Sequence, residues 1–197
     1  MDVTWVLVPG GVCHYGDEER PIDIRPLYWT ATPLTTGQLA PSGHRSGTVP
    51  RGDSHRPGDA GLPVTGISQR EAAALAARVG GRLPRSAEWE WMAAGPQRRR
   101  YPWGDQPWRP ELANLRESGN GGPVPVTAHQ QGVTSTGLYD VAGNVWEWTC
   151  TPVMGDGFVI RGGSFASPPL YAQCTFLNAA PAELRSAGIG VRAVREA

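Results

Sequence analysis

Glycine and proline are the residues that most restrict what this chain can fold into. Its 197 residues include 26 Gly and 19 Pro, about 23% of the chain against roughly 12% in an average protein. Gly loses more entropy than other residues in regular elements, and Pro removes a backbone donor. This content therefore excludes a helical bundle or a coiled coil. Hydrophobic residues make up 40% of the chain, which is enough for the core of one domain of ordinary size.

The charges of the chain are balanced and unusual in type. All 18 residues in the Lys and Arg total are Arg, and 18 Asp and Glu residues oppose them. Schiff-base chemistry and a Walker-type phosphate site both need Lys, so both are excluded. A chain with an isoelectric point near 6.9 lacks the positive field that attracts nucleic acids or anionic membranes. We therefore expect neither nucleic acid nor membrane as a partner.

Targeting and redox signals are sparse. Residues 1–11 have no basic segment and only a short apolar run, which predicts a first strand rather than a signal peptide. No stretch approaches the roughly 18 apolar residues of a membrane span. Cys13, Cys150 and Cys174 are too few and too widely spaced for a disulfide scaffold, and no CxxC pair indicates zinc. We expect a cytoplasmic protein.

Short extended segments begin the chain, and a long loop follows them. Trp5–Val8 predicts a strand that ends in a turn at Pro9-Gly10-Gly11, and residues 22–24 and 27–29 give further extended signals. Residues 40–61 run through Pro, Gly, Ser, Arg and His with almost no apolar periodicity. That pattern predicts a long surface loop.

Capping signals and periodicity predict two helices. The first begins with Ser68 and Glu71, which have the spacing of a capping box, and it stops at Gly80. Its apolar face consists of Ala72, Leu75, Ala76 and Val79. The second is expected from Ser86 to Ala94, with Ser86 as the capping residue because Arg85 precedes it. Its candidate buried residues are Trp89, Met92 and Ala93.

Eight groups of short strings follow one another in a fixed order along the chain. They are Val8-Pro9-Gly10-Gly11, Leu62-Pro63-Val64, Gly81-Arg82-Leu83-Pro84 with Ala87-Glu88-Trp89-Glu90, Tyr101-Pro102-Trp103-Gly104-Asp105, Ala113-Asn114, GLYDVAGNVWEW at 137–148, Arg161-Gly162-Gly163-Ser164-Phe165 and Gly188-Ile189-Gly190-Val191-Arg192. Each is weak alone, but together they span essentially the whole chain. In these strings the chain resembles the formylglycine-generating enzymes and their sulfatase-modifying-factor relatives.

The resemblance implies an α+β fold. It would be a compact, irregular variant of the C-type-lectin-like architecture, with little regular secondary structure and many buried Trp residues. The resemblance also implies a single domain over residues 1–197. The chain is shorter than a typical enzyme of the family, and its early helix is short, because residues 35–38 can cap a helix that Pro41 soon ends.

The string at 137–148 is where members of the family hold a calcium ion. By motif matching, Asp140 and Glu147 would supply side-chain oxygens, and Gly143 and Val145 would supply carbonyls, which is a donor set that suits calcium. The alternative is that Asp140 caps a turn and Glu147 pairs with an Arg. A second family site would begin at Asn114 and Leu115. We expect that site not to be intact, because the loop at 116–122 gives no clear match to its acidic ligand.

The family's copper site is incomplete in this chain. In the family, a Gly-Gly-Ser-aromatic string is followed two residues on by one cysteine and five residues later by another, and the two thiolates bind Cu(I). Here those positions fall on Ser167 and Ala172, and Cys174 lies two residues beyond the second. One thiol beside a serine is a poor copper site, so we expect no copper-dependent formylglycine formation. Cys174 and Ser167 remain the candidate catalytic residues.

Two other chemistries are possible on composition. A related branch of sulfoxide synthases binds iron through three histidines supplied largely by a separate helical domain. His14, His44, His55 and His129 show no HxxxH or HxE spacing, so we do not expect iron. A Ser/His/Asp site could use Ser164 or Ser167 as nucleophile, but no nucleophile-elbow pattern supports it.

Two functions follow from these observations. The first is a divergent member used as a binding or accessory domain, whose surface from Ser164 to Arg185, including Asn178, takes a peptide, protein or small-molecule ligand. The second is an oxygen- and metal-dependent oxidoreductase acting on an amino-acid, peptide or secondary-metabolite substrate. The sequence leaves the ligand and the oligomeric state open.

Overall fold

The computed structural model describes residues 3–39 and 59–197 as a mixed fold of short strands and few helices. The strands in these ranges are β1 (Trp5–Val8), β2 (Gly11–Tyr15), β3 (Arg20–Ile24), β4 (Leu27–Thr30), β5 (Trp146–Pro152), β6 (Gly157–Arg161), β7 (Leu177–Pro181), β8 (Ile189–Gly190) and β9 (Val194–Glu196). The helices are α1 (Thr36–Leu39), α2 (Gln69–Arg78) and α3 (Ser86–Ala94). This content confirms the α+β prediction and the low share of regular structure.

Strands from the two ends of the chain form one sheet. Its order is β1-β4-β9, and both pairings are antiparallel. The predicted strand at Trp5–Val8 is confirmed, and so are the extended segments at 22–24 and 27–29. The pairing of β4 with β9 joins residues 27–29 to residues 194–196.

The hairpin of β2 and β3 was not predicted as a hairpin. Its first residue, Gly11, lies against α3, and a Cβ there would come within 2.5 Å of the Trp91 ring. The next inward residue, Cys13, is buried in the same core. Sequence reasoning assigned Gly11 to a turn, although the close approach of the two elements requires Gly inside a strand.

Helix α2 has the predicted cap and face. The Ser68 hydroxyl accepts a hydrogen bond from Glu71 N, and the Glu71 carboxylate accepts one from Ser68 N at 2.8 Å. Ala72 and Ala76 are buried, while Leu75 and Val79 are half-buried against the same cluster. The helix stops before Gly80, which has φ +84°. The capping box and the stop signal are both confirmed.

Helix α3 has the predicted bounds but a different cap and burial. Arg85, not Ser86, is the N-cap, and the Glu88 carboxylate accepts a hydrogen bond from its N–H at 2.7 Å. The prediction of Ser86 as the cap was wrong, because its hydroxyl instead accepts a hydrogen bond from Tyr15 at 3.0 Å. Every residue of the helix except Ala87 is buried. The predicted buried face was therefore too narrow, since the helix lies between two sheets.

The sequence predicts a short early helix, followed directly by the long loop at 40–61. Helix α1 has only four residues, which confirms that the early helix is short. Thr35 and Gln38 form reciprocal hydrogen bonds at its start. Residues 59–61 form a 3-10 helix. The rest of the predicted loop at 40–61, including Pro41, lies outside the described residues.

The third sheet carries the core that supports the candidate site. Its order is β7-β6-β5-β8, with β8 parallel to β5 and the other pairs antiparallel. Trp148 on β5 and Trp89 on α3 are both fully buried. Among the described residues, no helix has the length and apolar character needed to cross a bilayer.

Candidate functional site

A turn of two glycines after β6 positions the serines of the candidate site. Gly162 and Gly163 have φ values of +97° and +76°, a region that favours Gly. A Cβ at Gly162 would also lie 2.7 Å from the carbonyl oxygen of Val141. The next four residues form a turn, in which Ser167 N donates to the Ser164 carbonyl at 2.9 Å, and this turn brings Ser164 and Ser167 together.

Ser164 and Ser167 form a buried hydroxyl pair. Their side-chain oxygens lie 3.3 Å apart, and the Ser164 N–H donates to the Ser167 hydroxyl at 3.0 Å. The Ser164 hydroxyl also accepts a hydrogen bond from Ala166 N. Among the described residues, no His, Asp or Glu contacts either hydroxyl, so the pair lacks the base that nucleophilic catalysis requires.

Cys174 lies in the core rather than on an accessible surface. The residue is fully buried, its N–H donates to the carbonyl of Arg100, and its carbonyl accepts from Arg161 at 2.8 Å. Burial raises the pKa of the Cys174 thiol far above its usual range. Ala172 is also fully buried. A neutral, enclosed thiol is a poor nucleophile and a poor copper ligand.

The other residues of the predicted ligand groove are held by separate partners. Asn178 is exposed on β7, and its side-chain oxygen accepts a hydrogen bond from Ala179 N. Arg185 is exposed and pairs with Glu71, with one contact of 2.8 Å between Nη2 and Oε1. Ser164, in contrast, is only 4% exposed. The structure shows no contact that joins these three residues.

An aromatic cluster beside the serine turn was missed by sequence reasoning. Tyr171 and Phe176 stack with ring centroids 4.6 Å apart, and Trp146 lies about 6 Å from both. Leu170 and Leu177 are exposed beside it, by 54% and 42%. The sequence holds a signal for this surface, because no residue between Arg161 and Glu183 is charged.

Two buried ion pairs lie on either side of Trp89. Glu147 accepts from Arg192 Nε at 2.8 Å and from the Trp89 indole N–H at 2.7 Å. Arg161 stacks over Trp89 and pairs with Glu90 at 2.7 Å. Burial raises the pKa of Glu147, while Arg192 and the indole N–H oppose that rise. The sequence analysis gave an ion pair between Glu147 and an Arg as the alternative to calcium binding, and Glu147 does pair with Arg192.

Asp140 is the second buried carboxylate of this region. One of its oxygens accepts a hydrogen bond from Thr127 N at 2.7 Å, and its backbone has φ +51°. Burial raises the pKa of the Asp140 carboxyl, and the charge of Arg192 opposes this. The carbonyls of Gly143 and Val145 accept no backbone hydrogen bond from the described residues. Two carbonyls without a backbone hydrogen bond and two buried carboxylates are the kinds of oxygen donor that calcium binds.

At Asn114 and Leu115, where the second family calcium site would begin, the oxygen atoms already accept hydrogen bonds from the protein. The carbonyls of Asn114 and Leu115 accept hydrogen bonds from Asn144 N and Ser118 N. The side-chain amide of Asn120 donates to the Asn114 side chain at 3.0 Å. The loop's carboxylate, that of Glu117, is exposed on a 3-10 helix. In this loop the side chain that contacts Asn114 is therefore an amide, and no carboxylate of the described residues forms a hydrogen bond or ion pair with Asn114 or Leu115.

The histidines are dispersed. His14 is exposed on β2, His129 is half-buried before a 3-10 helix, and His44 and His55 lie outside the described residues. In the ranges 3–39 and 59–197 no group of three or more His, Cys, Asp or Glu side chains could hold a metal ion. The three-histidine pattern is not assembled by the part of the chain that is described.

A comparison with known protein families gives the same assignment as the sequence strings and the mixed fold. A family described as the sulfatase-modifying factor enzyme 1-like domain matches residues 2–197. The chain belongs to this family, which includes the formylglycine-generating enzymes.

Three relatives define its neighbourhood in sequence. Hercynine oxygenase of Mycobacterium tuberculosis is 37% identical over 143 residues, 59% of this chain and 32% of the relative. The inactive C-alpha-formylglycine-generating enzyme 2 of Mus musculus is 39% identical over 53% of this chain and 38% of the relative. The formylglycine-generating enzyme of Streptomyces coelicolor is 34% identical over 52% of this chain and 42% of the relative. The chain spans about a third of the length of the hercynine oxygenases it matches.

Solved structures share the fold over the whole chain. Treponema denticola variable protein 1 matches with a TM-score of 0.77 and 17% identity, covering 100% of this chain and 96% of that protein. CarF matches with a TM-score of 0.76 and 23% identity, covering 100% and 99%. At these identities the likeness shows the fold alone.

Proposed function

We propose that this chain is a divergent member of its family that acts as a binding or accessory domain without copper-dependent formylglycine formation. The observation that carries the proposal is the replacement of the paired thiols by Ser167 and Ala172, while the nearby Cys174 is enclosed in the core. Cu(I) prefers thiolate ligands, and a thiol whose pKa burial raises stays protonated at neutral pH. The residues present therefore do not fit the copper site.

The surface beside the serine turn is the place proposed for binding. Leu170 and Leu177 are exposed there, and each is next in the chain to a ring of the aromatic cluster of Trp146, Tyr171 and Phe176. Exposed apolar side chains beside partly buried aromatic rings are typical of binding surfaces. The absence of charge from residue 162 to residue 182 favours an uncharged part of a peptide, protein or small molecule as the ligand.

A second candidate function is supported by the hercynine oxygenase relatives. Their identity to this chain, 37% over 143 residues in one case, favours an oxygen- and metal-dependent oxidoreductase acting on an amino-acid or related substrate. Because the chain matches only 32% of that relative, such an activity would need ligands from outside the described residues. The chain would then contribute the substrate-binding part of the site.

Metal analysis combined with a copper titration distinguishes the binding or accessory domain from the oxidoreductase. We expect protein purified without chelator to contain no stoichiometric copper or iron, and to bind no Cu(I) tightly in reducing buffer. The double variant Ser167→Cys, Ala172→Cys supplies the matched positive control, because it restores the paired thiols on the same scaffold. Cys174→Ala should leave the wild-type result unchanged.

Oxygen consumption completes the experiment. We expect the purified protein to consume no oxygen with a cysteine-containing peptide, or with hercynine plus a thiol. Copper or iron near one per chain, together with substrate-dependent oxygen uptake, would refute the binding proposal and support the oxidoreductase.

We further propose that the 137–148 segment holds a structural calcium ion. Asp140 and Glu147 would supply carboxylate oxygens, and Gly143 and Val145 would supply carbonyls. An ionised carboxylate has about four acceptor sites, so the two donors on Glu147 leave room for a cation. The ion would link loop segments that lack regular hydrogen bonds. We do not extend the proposal to Asn114 and Leu115, where no carboxylate is at hand.

A further inference from the structure

Strand β7 lies at the edge of the four-stranded sheet and carries no charge. The sheet order is β7-β6-β5-β8, so one side of β7 has no neighbouring strand among the described residues. Leu177, Asn178 and Ala179 are exposed on this strand. Natural edge strands are usually protected by charges, prolines or bulges, and the edge strand β3 contains two charged residues and a proline. Strand β7 has only the Pro181 at its end.

The register of β6 and β7 shows which backbone groups of β7 face the open side. Ala182 N, just beyond the strand, donates to the carbonyl of the opposite residue, Asp156, at 2.8 Å. Hydrogen-bonded and non-hydrogen-bonded pairs alternate along an antiparallel ladder. Because β6 and β7 stay in register, every second residue of β7 bonds β6. The N–H and C=O groups of Leu177 and Ala179 therefore point away from β6.

Three of these four outward groups have no protein partner in the described ranges. They are the N–H and the carbonyl of Leu177 and the carbonyl of Ala179. The fourth, the Ala179 N–H, donates to the side-chain oxygen of Asn178 at 2.8 Å, which agrees with its facing the open side. An extended chain can bond such an edge fully, because a strand presents N–H and C=O groups at the same spacing.

The edge of β7 is complementary to itself. Around a twofold axis at Asn178, Leu177 would face Ala179 of the partner subunit, and Ala179 would face Leu177 of the partner subunit. Each pair exchanges two hydrogen bonds, so all four outward groups of each copy are used. A twofold contact brings residues near the axis close to their own copies, where a charged side chain would be repelled. No residue between Arg161 and Glu183 is charged, which is the composition that such a contact needs.

We propose that two copies of this chain pair antiparallel through β7, with Asn178 opposite Asn178 of the partner subunit. On pairing, the Ala179 N–H exchanges the Asn178 oxygen for the carbonyl of Leu177 of the partner subunit. A contact of a few strand residues is small, so the dimer is weak and forms at high protein concentration. Pairing through β7 goes beyond the proposed function and can fail without affecting it, because copper binding and oxygen consumption do not depend on it.

Sedimentation velocity measures this association directly. We expect the average mass to rise above the 21.1 kDa of one chain as the concentration increases, with a dissociation constant on the order of 100 µM. Asn178→Asp places two like charges face to face across the axis and should weaken the association about fivefold. Asn178→Lys should weaken it in the same way. A mixture of the two variants should restore the association, because opposite charges then meet.

Gln131→Glu is the matched control, because it also adds one negative charge at an exposed amide, away from β7. It should associate as the wild type does. Ala179→Pro removes an outward N–H that does not bond β6, and it should abolish the pairing while the circular dichroism spectrum is retained. The proposal is overturned if the mass stays at 21.1 kDa up to about 1 mM protein, or if Asn178→Asp and Gln131→Glu associate alike. It is also overturned if the mixed Asn178 variants associate no better than either alone.

Discussion

Arg161 and Arg192 are guanidinium groups with no solvent exposure. Each pairs with one buried glutamate, Arg161 with Glu90 and Arg192 with Glu147. A buried charge is tolerated only when it is paired and hydrogen-bonded, and both arginines also donate to backbone carbonyls. These pairs therefore fix how α3, β5, β6 and the C-terminal segment meet.

Removal of one partner should be costly at such a site. Glu90→Gln leaves Arg161 as an uncompensated buried charge, while the amide oxygen can still accept from Gly16 N, as the carboxylate does. We expect a loss of about 3–5 kcal/mol in the free energy of unfolding, measured by urea denaturation. Glu19→Gln removes the partner of Arg98 at the surface, where Glu19 is 60% exposed, and should cost less than about 1 kcal/mol. Similar losses in both variants would contradict this account.

At the scale of elements, local signals were sufficient where the contacts are local. The capping box of α2 joins residues three apart, and the prediction of Ser68 and Glu71 is confirmed. The cap of α3 was misassigned because Ser86 meets Tyr15 and Thr151, which are 71 and 65 residues away. The β2–β3 hairpin was missed for the same reason, since Gly11 is required by a contact with Trp91.

The start of α2 should give the protein a pH dependence on the acid side. Hydrogen bonds from Arg185 lower the pKa of Glu71 below its ordinary value of 4.5, and the Ser68 N–H acts in the same direction. A carboxyl with a depressed folded pKa stabilises the fold above its unfolded pKa, and this contribution is lost as the pH falls through the folded value.

We therefore expect Glu71→Gln to be less stable than the wild type at neutral pH. The difference should shrink below pH 4.5 as the wild-type carboxylate takes up its proton. Urea midpoints across a pH series measure this directly. Glu117→Gln, whose carboxylate forms no ion pair within the described residues, is the control. A stability difference that stays constant with pH would refute the role given to Glu71.

At the scale of the whole molecule, loops are held by a few polar centres rather than by long regular elements. Asn144 shows this, because its side chain bonds Asn114 and the backbone of Val124 from a residue with φ +62°. The adjacent carboxylates of Asp140 and Glu147 form the second centre, and calcium is proposed there.

Calcium should raise the melting temperature if the proposal holds. An ion at a hundred times its dissociation constant adds about 2.7 kcal/mol, which corresponds to roughly 5–10 °C for a domain of this size. EDTA should reverse the shift, and Asp140→Asn should abolish most of it. Asp156→Asn, at an exposed turn, should keep the full response. Equal melting temperatures in calcium and in EDTA would refute the proposed calcium site.

The candidate site was predictable only in part. The replacement of the two thiols by Ser167 and Ala172 can be read directly from the string that follows Gly163. The burial of Cys174 could not be, because it depends on Arg161 and on the packing of α3 against the sheet. The aromatic cluster likewise joins Trp146 to residues about 25–30 positions later in the chain.

The sequence by itself determined the family, the short mixed elements and the missing copper ligands, since each depends on residue type and local spacing. Only the tertiary structure decided which charges are paired, which thiol is enclosed and which aromatic rings meet. Those properties depend on desolvation and on contacts between distant segments. No local pattern records them, because the free energy of a buried group is set by the partners that the fold brings to it.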